Sequence, residues 1–180
     1  MQPDPASTGE RPAQGVRSPV ATIALGDSLP DVPVQVLGDN DPEWISVASL
    51  GRNLVLFAVP GAFTPACSAR HLPGFMEHAA EFKTGGIDVI ACVAVNDAYV
   101  MAAWARRNGV DGRVTMLADG NGVFTAAMGL AEDGSPYGMG MRSHRYALVA
   151  RDGRITRLFV EEPGAYSVSS ASHVLTHLGD

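Results

Sequence analysis

A cysteine that opens a helix directly after a buried strand can act as a nucleophile, and one segment of this chain has that form: Pro60-Gly-Ala-Phe-Thr64-Pro-Ala-Cys67-Ser-Ala-Arg70-His71. It follows the apolar run Asn53–Val59, so Cys67 is expected in the first turn of the next helix, at the strand end where open α/β sheets carry their crevices. There, backbone N–H groups and the positive end of the helix dipole face the sulfur and favour thiolate over thiol. Thr64, three residues earlier, can turn a hydroxyl into the same pocket, and Pro60 shields that pocket from water. A thiolate beside polar donors attacks electrophiles. An inert buried cysteine is the common alternative for this residue type, and the Pro/Gly/Thr-rich turn argues against it.

Other residues of reactive type weigh less. His71 falls four residues after Cys67; as a general base, either it or His144 would make Cys67 the nucleophile of a cysteine hydrolase, although no orienting carboxylate is readable. His173 and His177 have half the spacing of a zinc site, without an acidic neighbour or a second pair, and read as a solvated helix face. Gly120-Asn-Gly122 lacks the third glycine of a dinucleotide fingerprint. No metal and no organic cofactor are therefore expected. Cys92, 92 − 67 = 25 residues beyond Cys67, sits in the middle of an apolar run and reads as a small buried hydrophobe.

The elements that must position these groups follow from hydrophobic pattern. Asn53–Val59, Ile87–Val95 and Arg145–Ala150 are apolar, β-branched runs of buried-strand type, with Val114–Leu117 a shorter candidate. A helical stretch spans Ala66 to Lys83, with a break expected at Pro73-Gly74. Helices are also expected over Ala98–Arg107, capped by Asn96-Asp97, and over Gly122–Met128. Arg151-Asp-Gly-Arg154 makes a hairpin with Ile155–Val160, and a last helix runs from Ser169/Ser170 to Leu178. Phe75, Met76, Trp104, Phe124 and Met128 read as core and interface. The order β-α-β-α-β-(α)-β-β-α implies an α/β domain with a largely parallel sheet covered on both faces, which is a thioredoxin-like pattern.

Composition bounds the partners. The 180 residues are 46% hydrophobic and 18% charged, enough for one core and too little charge for disorder. Thirteen basic against 19 acidic residues give −6, which argues against a general nucleic-acid binder. Two cysteines are too few for a disulfide-stapled scaffold. Residues 1–20 read as a flexible polar tail without the apolar stretch of a secretory signal, and 21–180 as a single domain. No apolar run approaches the ~20 residues of a membrane span. A soluble, cytoplasmic protein is the expectation.

Pro60, Thr64 and Cys67 match the P-x-x-x-[T/S]-x-x-C signature of peroxiredoxins, and PGAFTPACSARHLPGF resembles the type II, atypical (peroxiredoxin-five-like) subfamily. The resemblance continues through Ala91–Asp97, Trp104, Leu117–Gly120 and Gly140–Tyr146, spanning about residues 30 to 179. It implies a thioredoxin-like fold: a central mixed sheet flanked by helices, with a C-terminal β-hairpin and helix. It also implies roles. Cys67 would be the peroxidatic cysteine, Thr64 would hold thiolate and peroxide oxygens, and Arg145 would stabilise the thiolate and the transition state, with Arg142 the second candidate. Pro60, Arg142 and His71 would line or support the pocket.

Some subfamily members carry a resolving cysteine in the stretch aligning with Ser167–Ser170, and this chain has none there. Recycling is thus expected from an external thiol, glutathione with glutaredoxin or thioredoxin, with Cys92 the lesser alternative. The expectation is a thiol peroxidase for hydrogen peroxide and alkyl hydroperoxides, with neither nucleic acid nor membrane as partner; the family's dimers imply a homodimer, with Trp104 and Phe124 as candidates for its face. A redox-sensing or holdase module using Cys67 stands as the alternative.

Overall fold

The computed structural model describes residues 22–39 and 41–179; the tail expected over 1–20 lies outside the described residues. Three strands form the parallel heart of the sheet: β3 (Asn53–Ala58), β4 (Val89–Ala94) and β5 (Thr115–Ala118), paired β3 with β4 and β4 with β5. Their side chains are buried on both faces, which is why the sequence shows continuous apolar runs instead of alternation. Antiparallel strands complete the sheet: β1 (Pro33–Leu37) and β2 (Pro42–Ser46) on one side, β8 (Tyr146–Arg151) and β9 (Arg154–Val160) on the other. The order is β2-β1-β5-β4-β3-β8-β9. The sheet is mixed, parallel only at its centre. A separate small ribbon pairs β6 (Ala131–Asp133) with β7 (Met141–Ser143).

The β8–β9 hairpin turns at Asp152-Gly153 with φ of 48° and 75°, the left-handed pair that an Asp-Gly turn of the primed type needs. β1, β2, β6 and β7 were not expected. They are short and half exposed, and β1 and β2 open on prolines that only edge or first-residue positions tolerate.

Helices cover both faces. A π-helical turn, Cys67–His71, runs into α1 (Leu72–Glu77), followed by α2 (Ala79–Thr84), α3 (Ala98–Asn108), α4 (Val123–Ala127) and α5 (Ala171–Thr176). The break expected at Pro73-Gly74 falls instead at His78, whose Nδ1 lies 2.7 Å from Glu81 Oε1 in the first turn of α2. Proline is tolerated at the start of α1, where its missing N–H removes little. The widened π-turn sits just before it.

Two apolar clusters fill the two sides of the sheet, one around Phe57, Phe75, Phe82, Cys92 and Trp104, the other around Leu54, Leu56, Phe124, Met128 and Tyr146. Trp104 and Phe124 are both fully buried, so neither forms a dimer face. His173 and His177 are not a solvated face either: their rings stack with centroids 4.3 Å apart, and both meet Phe159 edge-on.

Candidate active site

β3 ends at Ala58, and the chain turns through Pro60–Thr64 before the helix begins. Three contacts hold this turn. Ala62 N–H donates to Asn96 Oδ1 at 2.9 Å, tying the loop to the end of β4. Thr64 Oγ1 donates to the Gly61 carbonyl at 2.9 Å, which spends its hydrogen on the loop and leaves the oxygen an acceptor. Ser68 N–H donates to the Thr64 carbonyl at 3.0 Å, starting the helix. Phe63 pays for the tight turn with a left-handed φ of 64°.

Cys67, the first residue of the π-turn, is fully buried. Arg145 reaches it from the start of β8, the strand paired antiparallel to β3. Its Nη2 donates to Cys67 Sγ at 3.4 Å, and its Nη1 to His71 Nδ1 at 2.9 Å. A guanidinium has no acceptor, so His71 Nδ1 must carry the lone pair and Nε2 the hydrogen, which goes to the Ser169 carbonyl at 3.1 Å.

The imidazole is fully buried, packed against Phe57, Phe75 and Tyr166. Burial, and then the charge of Arg145, lower its pKa to about 3 against the opposing bond to Ser169. A ring in this state is no general base for Cys67. His144 is engaged elsewhere, with Nδ1 3.7 Å from Glu132 Oε2. The hydrolase reading thus loses both of its bases.

Sequence reasoning missed the outer part of this network. Glu161, buried at the end of β9, accepts from Ser167 N, Ser169 N and Ser169 Oγ at 2.6, 2.8 and 2.8 Å. Burial raises its pKa, but those bonds and the charge of Arg145 outweigh burial and leave it below the usual carboxylate value. Its own N–H donates to the Arg145 carbonyl at 2.9 Å. Tyr166 lies under two guanidinium groups, Arg70 at 4.9 Å and Arg145 at 5.8 Å from the ring centre. These partners lie about ninety residues from the cysteine motif, and no local spacing signals them.

The remaining candidates lie at the rim or behind the site. Arg142 donates to the carbonyls of Val95 and Met139 at 2.7 and 2.8 Å, so its guanidinium braces two loops. With Pro60, Tyr137, Met139 and Pro163 it lines a groove of about 350 Å³. Cys92 stands in mid-strand, paired with Phe57 and Met116 on its neighbours, and both cysteines are free thiols. Burial, and next the charge of Cys67, push the Cys92 thiol well above its ordinary range, which makes it a poor attacker in disulfide chemistry. Among the described residues no cluster of three or more His, Cys, Asp or Glu could hold a metal ion, and no helix is long and apolar enough to cross a membrane.

The chain is similar to known proteins in both sequence and fold. Residues 24–175 match the Redoxin family. The chain is 48% identical over 164 residues to chloroplastic Peroxiredoxin-2E of Arabidopsis thaliana, covering 88% of this chain and 70% of that protein. It is 51% identical over 166 residues to chloroplastic Peroxiredoxin-2E-2 of Oryza sativa subsp. japonica, covering 88% and 74%. The crystal structure of reduced Prx3 in complex with hydrogen peroxide from Vibrio vulnificus superposes with a TM-score of 0.83 at 43% identity, over 87% of this chain and 99% of that one.

The two plant names place those relatives in the chloroplast, so the cytoplasmic expectation does not stand. It rested on the lack of an apolar stretch, which speaks only to secretion; transit segments are polar and rich in Ser and Arg. A Redoxin match across most of the chain, relatives near half identity and a buried cysteine under an arginine together identify the family: the chain belongs to the peroxiredoxins, thiol peroxidases of the type II, peroxiredoxin-five-like kind with a thioredoxin-like fold.

Proposed function

We propose that Cys67 is the peroxidatic cysteine and that the protein reduces hydrogen peroxide and alkyl hydroperoxides with electrons from an external thiol. The observation that carries this is the 3.4 Å contact between Arg145 Nη2 and Cys67 Sγ at the C-terminal end of β3. The Vibrio vulnificus relative described with hydrogen peroxide supports the substrate class.

In the reaction, the Cys67 thiolate attacks the terminal oxygen of ROOH. An S–O bond forms, the O–O bond breaks, and RO⁻ leaves, taking a proton to become alcohol or water. Sulfur, oxidised by two electrons, is left as sulfenic acid. Negative charge moves from sulfur onto two oxygens, and the Arg145 fork is aimed where it develops. Thr64 Oγ1, its hydrogen held by Gly61, accepts from the peroxide O–H. Pro60 keeps water from the pocket, and Arg142 shapes its rim.

Recycling goes through an external thiol, glutathione with glutaredoxin or thioredoxin. That thiol attacks the sulfenic sulfur, water leaves, and a second thiol cleaves the mixed disulfide. The buried, protonated state of Cys92 supports this route over an internal one. Residues 21–180 act as one domain in this reading, and exposed Phe63, Tyr99 and Tyr137 support a homodimer, which sedimentation would contradict by showing a monomer at micromolar concentration. The direct test is peroxide consumption with a thiol reductant, wild type against Cys67→Ser: the variant is expected to be inactive, and full activity would end the proposal.

A further inference from the structure

We infer that His71 is a positioning residue for Arg145, a neutral strut that aims the guanidinium at Cys67 and ties that aim to the C-terminal segment before α5. The inference rests on the reading of Cys67 as the peroxidatic cysteine and adds a part to it.

The geometry is a continuous chain of contacts. Arg145 Nη2 meets Cys67 Sγ at 3.4 Å, Nη1 meets His71 Nδ1 at 2.9 Å, and His71 Nε2–H meets the Ser169 carbonyl at 3.1 Å. Ser169 is itself pinned through N–H and Oγ, both at 2.8 Å, to Glu161 Oε1. A long, flexible arginine loses aim unless a second contact holds its planar fork. His71 supplies that contact from the π-turn that also carries Cys67.

The chemistry of the acceptor matters. A cation at position 71 would repel Arg145. A neutral nitrogen lone pair orients the guanidinium and leaves its full positive charge facing the sulfur. The charged and titratable groups facing the ring are Cys67 on its own turn, Arg145 at the start of β8, and Tyr166 beside it, with Glu161 one bond further away. Phe57 of β3 and Phe75 of α1 close the remaining sides with apolar surface.

The test compares wild type, His71→Phe and His71→Asn. The thiolate absorbance of Cys67 is followed against pH in a Cys92→Ala background, and the second-order rate with hydrogen peroxide is measured alongside. His71→Phe keeps the packing and removes the acceptor. Its Cys67 titration is expected to move up by about half a pH unit or more, and its peroxide rate to fall about tenfold. His71→Asn returns an acceptor oxygen at the Nδ1 position and is expected to recover most of both.

A folded His71→Phe with wild-type titration and rate overturns the inference, and so does equal impairment of both variants, which would mean lost packing alone. If His71→Phe does not fold, ring nitrogen shifts of the wild type decide: a neutral Nε2–H tautomer from pH 8 to 5 supports the strut, and a midpoint near 6.5 overturns it. A wild type that leaves peroxide untouched contradicts the peroxidatic reading, whereas the Cys67 titration still reports on His71.

Discussion

Arg145 connects the Cys67 sulfur to the rest of the candidate site, since one guanidinium contacts Cys67 Sγ at 3.4 Å and His71 Nδ1 at 2.9 Å. Removing a preorganised donor from a developing anion typically costs 10²–10³ in rate. Arg145→Ala is therefore expected to lower the peroxide rate constant by about 10²-fold or more, and Arg145→Lys by nearly as much, because a point charge cannot hold sulfur and imidazole together. Stopped-flow oxidation of Cys67 measures this; an Arg145→Lys variant at wild-type rate would contradict it. Cys67, Thr64 and Pro60 were legible because they stand within eight residues on one strand-to-helix turn. Arg145 entered only through family resemblance. Glu161, Ser169 and Tyr166 were illegible because β-sheet pairing, not sequence proximity, brings the end of β9 and the segment beyond it to the π-turn.

At the scale of elements, β3 and β4 place the two cysteines differently. The turn after β3 brings Cys67 under the Arg145 guanidinium, while β4 keeps Cys92 in the sheet between Phe57 and Met116. Cys92→Ala is thus expected to leave turnover with an external thiol unchanged within about twofold, a small apolar residue replacing another. Loss of recycling in that variant, read in a coupled reductant assay, would contradict the external-thiol route. The central strands were legible from their unbroken apolar runs, and α3 from Asp97, which caps it through a 2.9 Å bond from Val100 N–H. The π-turn and the break at His78 were not. Trp104 Nε1–H donates to Ser68 Oγ at 2.9 Å, and such tertiary bonds reshape a helix in ways that local propensity does not encode.

The whole molecule registers the site through its pH-dependent stability. His71 titrates at about 3 in the folded protein against 6.5 ordinarily, burial being the larger cause and Arg145 the second. Below pH 6.5 the unfolded chain binds a proton that the folded one refuses, so stability falls as pH falls toward 3, by up to about 1.4 kcal/mol per pH unit. Between pH 7 and 5, wild type is expected to lose about 2 kcal/mol more than His71→Phe in urea unfolding; parallel losses would contradict a buried neutral imidazole. Compartment was the property composition could least reveal, because a fold of this kind works the same way wherever a thiol donor exists. The central claim is that Cys67 takes oxygen from the peroxide, and trapping shows it most directly. One equivalent of hydrogen peroxide is added to the reduced protein with dimedone present, and the adduct is located by peptide mass. A sulfenic acid adduct on Cys67, absent in Cys67→Ser and slowed in Arg145→Ala, is the predicted result; an adduct on Cys92 with Cys67 unmodified would contradict the account.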